Sequence, residues 1–550
     1  MAQTMIQKLK QSRTFGFLRC LFLGVLLLFT WAIHVYHLGI LQKPSVTPIS
    51  ADKPSAGQWI GKEKFGINQL ILTGTPFERG VAAGQLTGQL LFRQETELTT
   101  QFHRFFPHPW LRRVFEVLAT RWFWGIDKWL EPGVVEEMYG VSLSASHDFD
   151  YLSDPLTRQA IYHGLHEVGQ MMVDQKTEDF GCTVAAVPSK KAWIIGRTFD
   201  FEGGRTFDSE KLMKWVFPNK GYAFVSVIWA GMVGAVTGVN EKGVYISLNA
   251  AGSRDFSRYG TPSTLVLLKA LQSAATADAA VQIIRDAEMF ITDIMVVSDR
   301  TSGKLYRIEK SPKRTEVIEL HAAAMIANHL IGATWEGDTI NQFRKYELTS
   351  SARTERGEHL LAVLKAKGTT DPKDLRPAVL AILRDKGESN GHPLHLGNRR
   401  AIDALIATHA AIYDEGNNYL YVSTGPSLAG QFPGFDLTES FRRRTPVTVD
   451  VLPRDPLVSD EMYAAVHQSS QEISLAEHQI HFKNCAAARQ ALVAARGNFS
   501  ESSDYYEAFG DYNDICATDL SAAKIAWQKS LALVPAYPKQ VRELQERLKK

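Results

Sequence analysis

The sequence predicts an α+β fold in which helices cover stacked antiparallel sheets, with a membrane-directed N-terminus before it and a helical tail after it. Three observations predict it. Short β-like runs cluster between Cys182 and about Gly252, two helical runs follow them, and strand-like runs return before the chain becomes helical and polar from about residue 459.

Composition sets the outer bounds. The chain has 550 residues, 45% of them apolar, which is enough for one large catalytic domain or for two or three smaller ones. Basic and acidic residues nearly cancel, 61 against 59, so no global field recruits nucleic acid or an anionic membrane surface.

Residues 1–41 differ from the rest. Lys8, Lys10, Arg13 and Arg19 precede the run CLFLGVLLLFTWAI, and positive charge ahead of an apolar run keeps the N-terminus cytoplasmic and exports the remainder of the chain. No small-x-small cleavage site stands out, which favours a retained anchor over a removed signal peptide. The expectation is a single pass, as in a bacterial-type inner membrane, with the body exported. Residues 42–58 (QKPSVTPISADKPSAGQ) are rich in Pro, Ser and Ala and read as a linker.

Residues 59–181 are predicted mainly helical. INQLILTGTPFERGVAAGQLTG reads as a short strand, a turn and a helix, and WLRRVFEVLATRWFWGIDKWL continues at helical spacing. Residues 182–458 form the predicted catalytic domain. CTVAAVPS, AWIIGRTFDF, AFVSVIW, AVTGVN and GVYISLNAAG are β-like, STLVLLKALQSAATADAAVQIIRDA is helical, and DIMVVSD, LYRIEK and AAAMIANH are strand-like again. Helical spacing over 341–386 and about 399–407 leads into AAIYDEGNNYLYVSTGP, a hairpin-like pair. In residues 459–550, AAKIAWQKSLALVPAYP is similar to the second helix of a tetratricopeptide repeat. Repeat stacks need about three units, so this tail reads as an appendage packed on the body, the other reading being a module for a protein partner.

The four cysteines sort by position. Cys20 lies in the anchor, Cys485 and Cys516 suit a disulfide in an oxidising compartment, and Cys182 is left without a partner. No CxxC or HExxH spacing occurs, so neither a metal nor a cofactor is predicted. A lone cysteine is ordinarily a small buried hydrophobe, but FGCTVAAVPSKKAWIIGRTFDFE sets Cys182 at the start of a hairpin that returns Arg197 and Asp200 beside it. Arg197 would hold the thiol as thiolate, the form that attacks carbonyls.

Gly-Cys-Thr followed by Gly-Arg-Thr-Phe-Asp-Phe resembles the entry hairpin of the N-terminal-nucleophile hydrolases related to choloylglycine hydrolase, penicillin V acylase and acid ceramidase. Among them it is most similar to the isopenicillin N acyltransferase-like peptidase C45 group. ERGVAAG, GVNEKGVYISLN, ANHL and THAAIYD come in the order of that family, over about residues 65–430. The resemblance implies an αββα sandwich of antiparallel sheets and a precursor that cuts its own Gly181–Cys182 bond into an α and a β fragment. Cys182 would then supply both the nucleophilic thiol and, through its new α-amine of pKa near 8, the base. Asp200 would position that amine, and Arg197 would stabilise the thiolate or an anionic part of the substrate. Asn249 and Asn328 are the expected oxyanion donors, and Arg400, with Arg399 beside it in LGNRRAID, stands where relatives carry an active-site arginine.

The implied substrate is a small acyl amide, either hydrolysed or used for acyl transfer, without a cofactor. Phe199 and Phe201 flank Asp200 where relatives carry Trp or Asn, and the helical tail has no equivalent in smaller members, so substrate choice does not carry over. The competing reading is a membrane-anchored scaffold that has lost activity and binds a partner through its C-terminal helices; it predicts an uncut chain.

Overall fold

A computed structural model describes residues 22–31, 41–49, 56–105, 108–172, 181–201 and 204–550. Two stacked sheets form its centre. One has nine strands in the order Gly57–Ile60, Asn68–Gly74, Leu212–Pro218, Phe224–Ile228, Thr237–Asn240, Val244–Ala250, Asp293–Asp299, Leu305–Lys310 and Thr315–Glu319. The other has seven, in the order Ala324–Ile326, Thr183–Pro188, Trp193–Asp200, Ala407–Asp414, Tyr419–Val422, Phe432–Asp436 and Thr448–Leu452. Every pairing is antiparallel except that of Asn68–Gly74 with Leu212–Pro218.

Side-chain alternation builds the layers. Val244, Ile246 and Leu248 pack with the helices Ser263–Ser273 and Ala277–Asp286, whereas Tyr245 between them faces the second sheet in a core shared with Ile195, Trp193 and Tyr413. On the far side, Ile194 and Ile412 meet Leu361, Val379 and Leu383 from the helices Ser350–Ala366 and Pro372–Leu383. The order helix, sheet, sheet, helix is the architecture expected of these strands, most of which are buried on both faces.

The leading region is less separate than its composition suggests. Its strands Gly57–Ile60 and Asn68–Gly74 belong to the nine-stranded sheet, because Leu70 and Leu72 find a place beside Leu212 and Ile228 under the helix Pro76–Phe105 while Ile71 between them faces the core between the sheets. That helix crosses Pro132–Ser142 at close range. A Cβ on Gly80 would come within 2.1 Å of the Glu137 carbonyl oxygen, so the ERGVAAG glycines are contact residues.

Several sequence expectations change in detail. The strand Thr315–Glu319 is additional to those expected, and residues 399–406 are turns rather than helix, the strand beginning at Ala407. The tail contains five α-helices, Asp460–His481, Cys485–Asn498, Ser503–Tyr512, Leu520–Ala532 and Pro538–Arg547, with a π-helical turn at Asn513–Ala517, and the repeat-like stretch AAKIAWQKSLALVPAYP falls mostly on the fourth. Cys485 and Cys516 are joined as a disulfide. Of the expected anchor, residues 22–31 form an exposed helix and Leu41 is buried, while 1–21 and 32–40 lie outside the described residues. No helix among the described residues is long and apolar enough to cross a membrane. Of the linker, 50–55 also lies outside them.

Candidate active site

The hairpin Thr183–Pro188 and Trp193–Asp200 pairs Thr183 with Thr198, which sets Cys182 and Gly181 opposite the end of the returning strand. The Gly181 N–H donates to the Asp200 carbonyl at 3.3 Å and carries the ladder past Cys182. At that end the next strand bulges between Ala407 and His409, opposite Asp200 and Phe199. A bulge of this kind re-aims side chains beside a site.

Cys182 is fully buried and is the free cysteine among the described residues. Burial pushes its thiol up; the Arg197 charge pulls it down, Asp200 pushes it up, and backbone hydrogen bonds at Asp200 and Ala250 pull it down. Arg197 acts as a fixed charge. Its guanidinium donates to the Thr198, Val236 and Leu248 carbonyls and to Thr237 Oγ1, which occupies its five N–H groups and locks it between the sheets.

Asp200 is 2% exposed. Burial raises its carboxyl to about 7, with Arg353 the main opposing influence. A Cβ on Gly181 would stand 3.2 Å from Asp200 Oδ2, so the residue before the cysteine lies directly against this carboxyl.

The residue that joins these groups is absent from the sequence-based candidates. Arg353 Nη1 donates to the Gly181 carbonyl at 2.8 Å, to the Cys182 carbonyl at 2.8 Å and to Thr183 Oγ1 at 2.7 Å, while Nη2 donates to Asn328 Oδ1 at 2.7 Å. It lies in the helix Ser350–Ala366, whose inward positions are Ser350, Arg353, Gly357, Leu361 and Leu364. The one signal in the sequence is an arginine in line with the buried stripe of a helix, a place an unpaired charge does not occupy.

The two expected oxyanion donors occupy different settings. Asn328 Nδ2 donates to the Ala250 carbonyl at 2.8 Å, its Oδ1 is the acceptor for Arg353, and it thereby stands in the same network as the Gly181–Cys182 peptide. Asn249 directs its amide N–H groups at the Ile326 and Ala327 carbonyls, both at 3.2 Å, and so ties the edge strand of one sheet to the other sheet. Donors committed to two carbonyls are not aimed at a developing oxyanion in this arrangement. Arg400 is likewise turned away, forming an ion pair with Glu388 at 3.0 Å. Its neighbour Arg399 lines a cavity of about 10 Å³ together with Gly181, Asp200, Thr349, Arg353, Ala404 and Ile406. The arginine that reaches the site from LGNRRAID is therefore the first of the pair, because residues 398–401 form a turn rather than the expected helix start.

Comparison with known proteins gives one family match and several structural ones. The model of the family described as acyl-coenzyme A:6-aminopenicillanic acid acyl-transferase matches residues 187–398, a stretch that holds Arg197, Asp200, Asn249, Asn328 and Arg353 and begins after Cys182. No curated protein sequence matches the chain. The solved structures that match include the Caenorhabditis elegans orthologue of N-acylethanolamine-hydrolyzing acid amidase, at 14% identity over 49% of this chain and 100% of that one, with a TM-score of 0.31. A conjugated bile acid hydrolase variant from Clostridium perfringens matches at 13% identity over 50% of this chain and 100% of its own, with a TM-score of 0.33. Penicillin V acylase from Agrobacterium tumefaciens matches at 14% identity over 50% of this chain and 99% of its own, with a TM-score of 0.32.

Proposed function

From the chain's relationship to the N-terminal-nucleophile hydrolases, carried by residues 187–398, we propose that it is an amide hydrolase or acyltransferase that cuts itself before Cys182 and then uses that cysteine as its nucleophile. The observation that supports this most directly is the setting of the Gly181–Cys182 peptide. Its carbonyl accepts a hydrogen bond from a buried arginine, its own N–H side carries the buried thiol, and a carboxyl with raised affinity for protons lies against it.

In the proposed processing step, the Cys182 sulfur attacks the Gly181 carbonyl carbon and Arg353 stabilises the oxyanion. The C–N bond then breaks as the nitrogen takes the thiol proton, leaving Gly181 as a thioester on Cys182; water releases it and frees the thiol and the α-amine. An amine of pKa near 8 accepts the thiol proton near neutral pH and returns it to a leaving amine, so no histidine is required. His409 suits that absence, since burial holds it neutral, well below its ordinary value.

The cavity at Gly181, about 10 Å³, holds at most about one water. An acyl amide would enter after the peptide ahead of Cys182 has left. Hydrolysis is the favoured outcome for an exported body in bulk water, and the Cys485–Cys516 disulfide supports an oxidising compartment of that kind.

The test compares the purified wild type with Cys182→Ala by intact mass and N-terminal sequencing. Dividing 61.4 kDa in proportion to length, cutting after Gly181 gives fragments of about 20 and about 41 kDa, the larger beginning at Cys182. Fragments in the wild type alone support the proposal and open a screen of N-acyl amides. An intact chain in both proteins would overturn it in favour of the inactive scaffold.

A further inference from the structure

The tail of five helices meets the body at a loop that supplies a wall of the candidate site. Arg399, Ala404 and Ile406 all line the cavity beside Gly181 and Asp200. Three side-chain hydrogen bonds hold the segment that carries them against the tail. Asn398 Nδ2 donates to the Val534 carbonyl at 2.8 Å, His395 Nε2 meets Ser503 Oγ at 3.2 Å, and His467 Nε2 meets the Leu405 carbonyl at 2.7 Å. Since a carbonyl only accepts, His467 carries its proton on Nε2 in this bond.

Leu405 is the informative point of contact. It lies between the two cavity-lining residues Ala404 and Ile406, and its φ of 58° is in the left-handed region that a leucine disfavours. Such a conformation persists where the surroundings impose it. Here the Leu405 side chain is buried with Ala429 and Val458 of the body and with Tyr463 and Val466 of the tail, while His467, its ring tilted against that of Tyr463 with centroids 4.3 Å apart, holds its carbonyl. From within the body, Lys386 binds Asp403 at 2.9 Å and Asp403 Oδ1 accepts from the Leu405 N–H at 3.1 Å. The left-handed turn that aims Ala404 and Ile406 at Gly181 is thus clamped by the body on its N–H side and by the tail on its carbonyl side.

We propose that the tail is a positioning unit for the active site, with His467 as a positioning residue that holds the 395–406 loop closed over the Gly181–Cys182 peptide. This rests on the self-cleavage reading above, and the test separates the two. Full-length His467→Phe, His467→Gln and Ser469→Ala chains are followed for processing rate and for amide hydrogen exchange in residues 394–406. Phenylalanine keeps the ring against Tyr463 and removes the donor; glutamine restores a donor at similar reach. Ser469→Ala removes the Ser469 Oγ bond to the Phe499 carbonyl, which is internal to the tail, and so reports plain destabilisation of the tail.

The expected result is processing slowed about tenfold in His467→Phe, the scale of one buried hydrogen bond, with faster exchange confined to the loop. His467→Gln should recover most of the rate, and Ser469→Ala should leave it unchanged. Wild-type processing in His467→Phe, or an equal loss in Ser469→Ala, would overturn the proposal. A wild-type chain that never cuts would instead overturn the self-cleavage reading, and exchange in the loop alone would then decide whether His467 holds it.

Discussion

Arg353→Lys is the substitution that tests the proposed chemistry most sharply. Arg353 is 1% exposed, and its Nη1 serves three oxygens, the Gly181 and Cys182 carbonyls and Thr183 Oγ1. With two hydrogens shared among three acceptors, the Gly181 oxygen receives only part of a donor in the ground state. When sulfur attacks, negative charge develops on that same oxygen and draws the shared hydrogen into a full charge-assisted bond, so the interaction is stronger in the transition state than before it. Removing one donor of this kind costs about 10²–10³ in rate, or about 2.7–4 kcal/mol. Lysine keeps the positive charge near Asp200 but lacks the fork that reaches Asn328 and Gly181 together. Processing should slow about 100-fold with the fold retained. Alanine is a poorer choice, because breaking a buried charged network costs about 3–5 kcal/mol in stability and confuses the two effects. The assay is the appearance of the fragment beginning at Cys182, timed from the dilution out of denaturant of uncut chain recovered unfolded from inclusion bodies, and normalised to folded protein by near-ultraviolet circular dichroism. A processing rate equal to wild type in Arg353→Lys would refute the oxyanion role.

Three further outcomes are expected from the same geometry. Because burial raises Asp200 to about 7, its carboxylate form appears only as pH rises through that value, so the processing rate should climb across about pH 6–8 and Asp200→Asn should lose the step; an unchanged inflection in the variant would assign it to another group. Arg399→Ala should slow processing about tenfold, as the loss of one polar contact does, whereas Arg400→Ala breaks the Glu388 pair outside the cavity and should cost about 1 kcal/mol or less in thermal stability with the rate unchanged; the reverse order would return the site role to Arg400. Cys485→Ser opens a link between residues 31 apart in sequence, which chain entropy values at about 3–4 kcal/mol; thermal unfolding should show the loss, and thiol titration in denaturant should find two reactive cysteines in the unreduced wild type and four after reduction.

The parts of the site that are legible in the sequence are those fixed by short-range geometry. Cys182, Arg197 and Asp200 share one hairpin, and two-residue alternation with a short turn suffices to bring its ends together. Asn328 is legible as a polar residue closing an apolar strand. Arg353 is far less so, because its partners Gly181, Cys182 and Thr183 are some 170 residues away in sequence, and its place on the buried stripe of SARTERGEH says that it is paired without saying to what. The turn at 398–401 reads as helix for a related reason, since helical spacing in NRRAIDALIA is matched by packing against a tail whose placement the sequence does not encode locally. For the layers, strand existence is visible in the apolar runs, but the partner of Asn68–Gly74 depends on a crossover of more than a hundred residues.

That crossover bears on how the protein ages. The strand Asn68–Gly74 lies on one side of the proposed cut and its parallel neighbour Leu212–Pro218 on the other, and both belong to one continuous sheet. An uncut chain brings them together as an intramolecular event. A cut chain, once unfolded, would have to find its other half by diffusion, against aggregation of two exposed strand edges. Self-cleavage would therefore turn a refoldable precursor into an enzyme that folds once, whose lifetime is set by its unfolding rate rather than by an equilibrium.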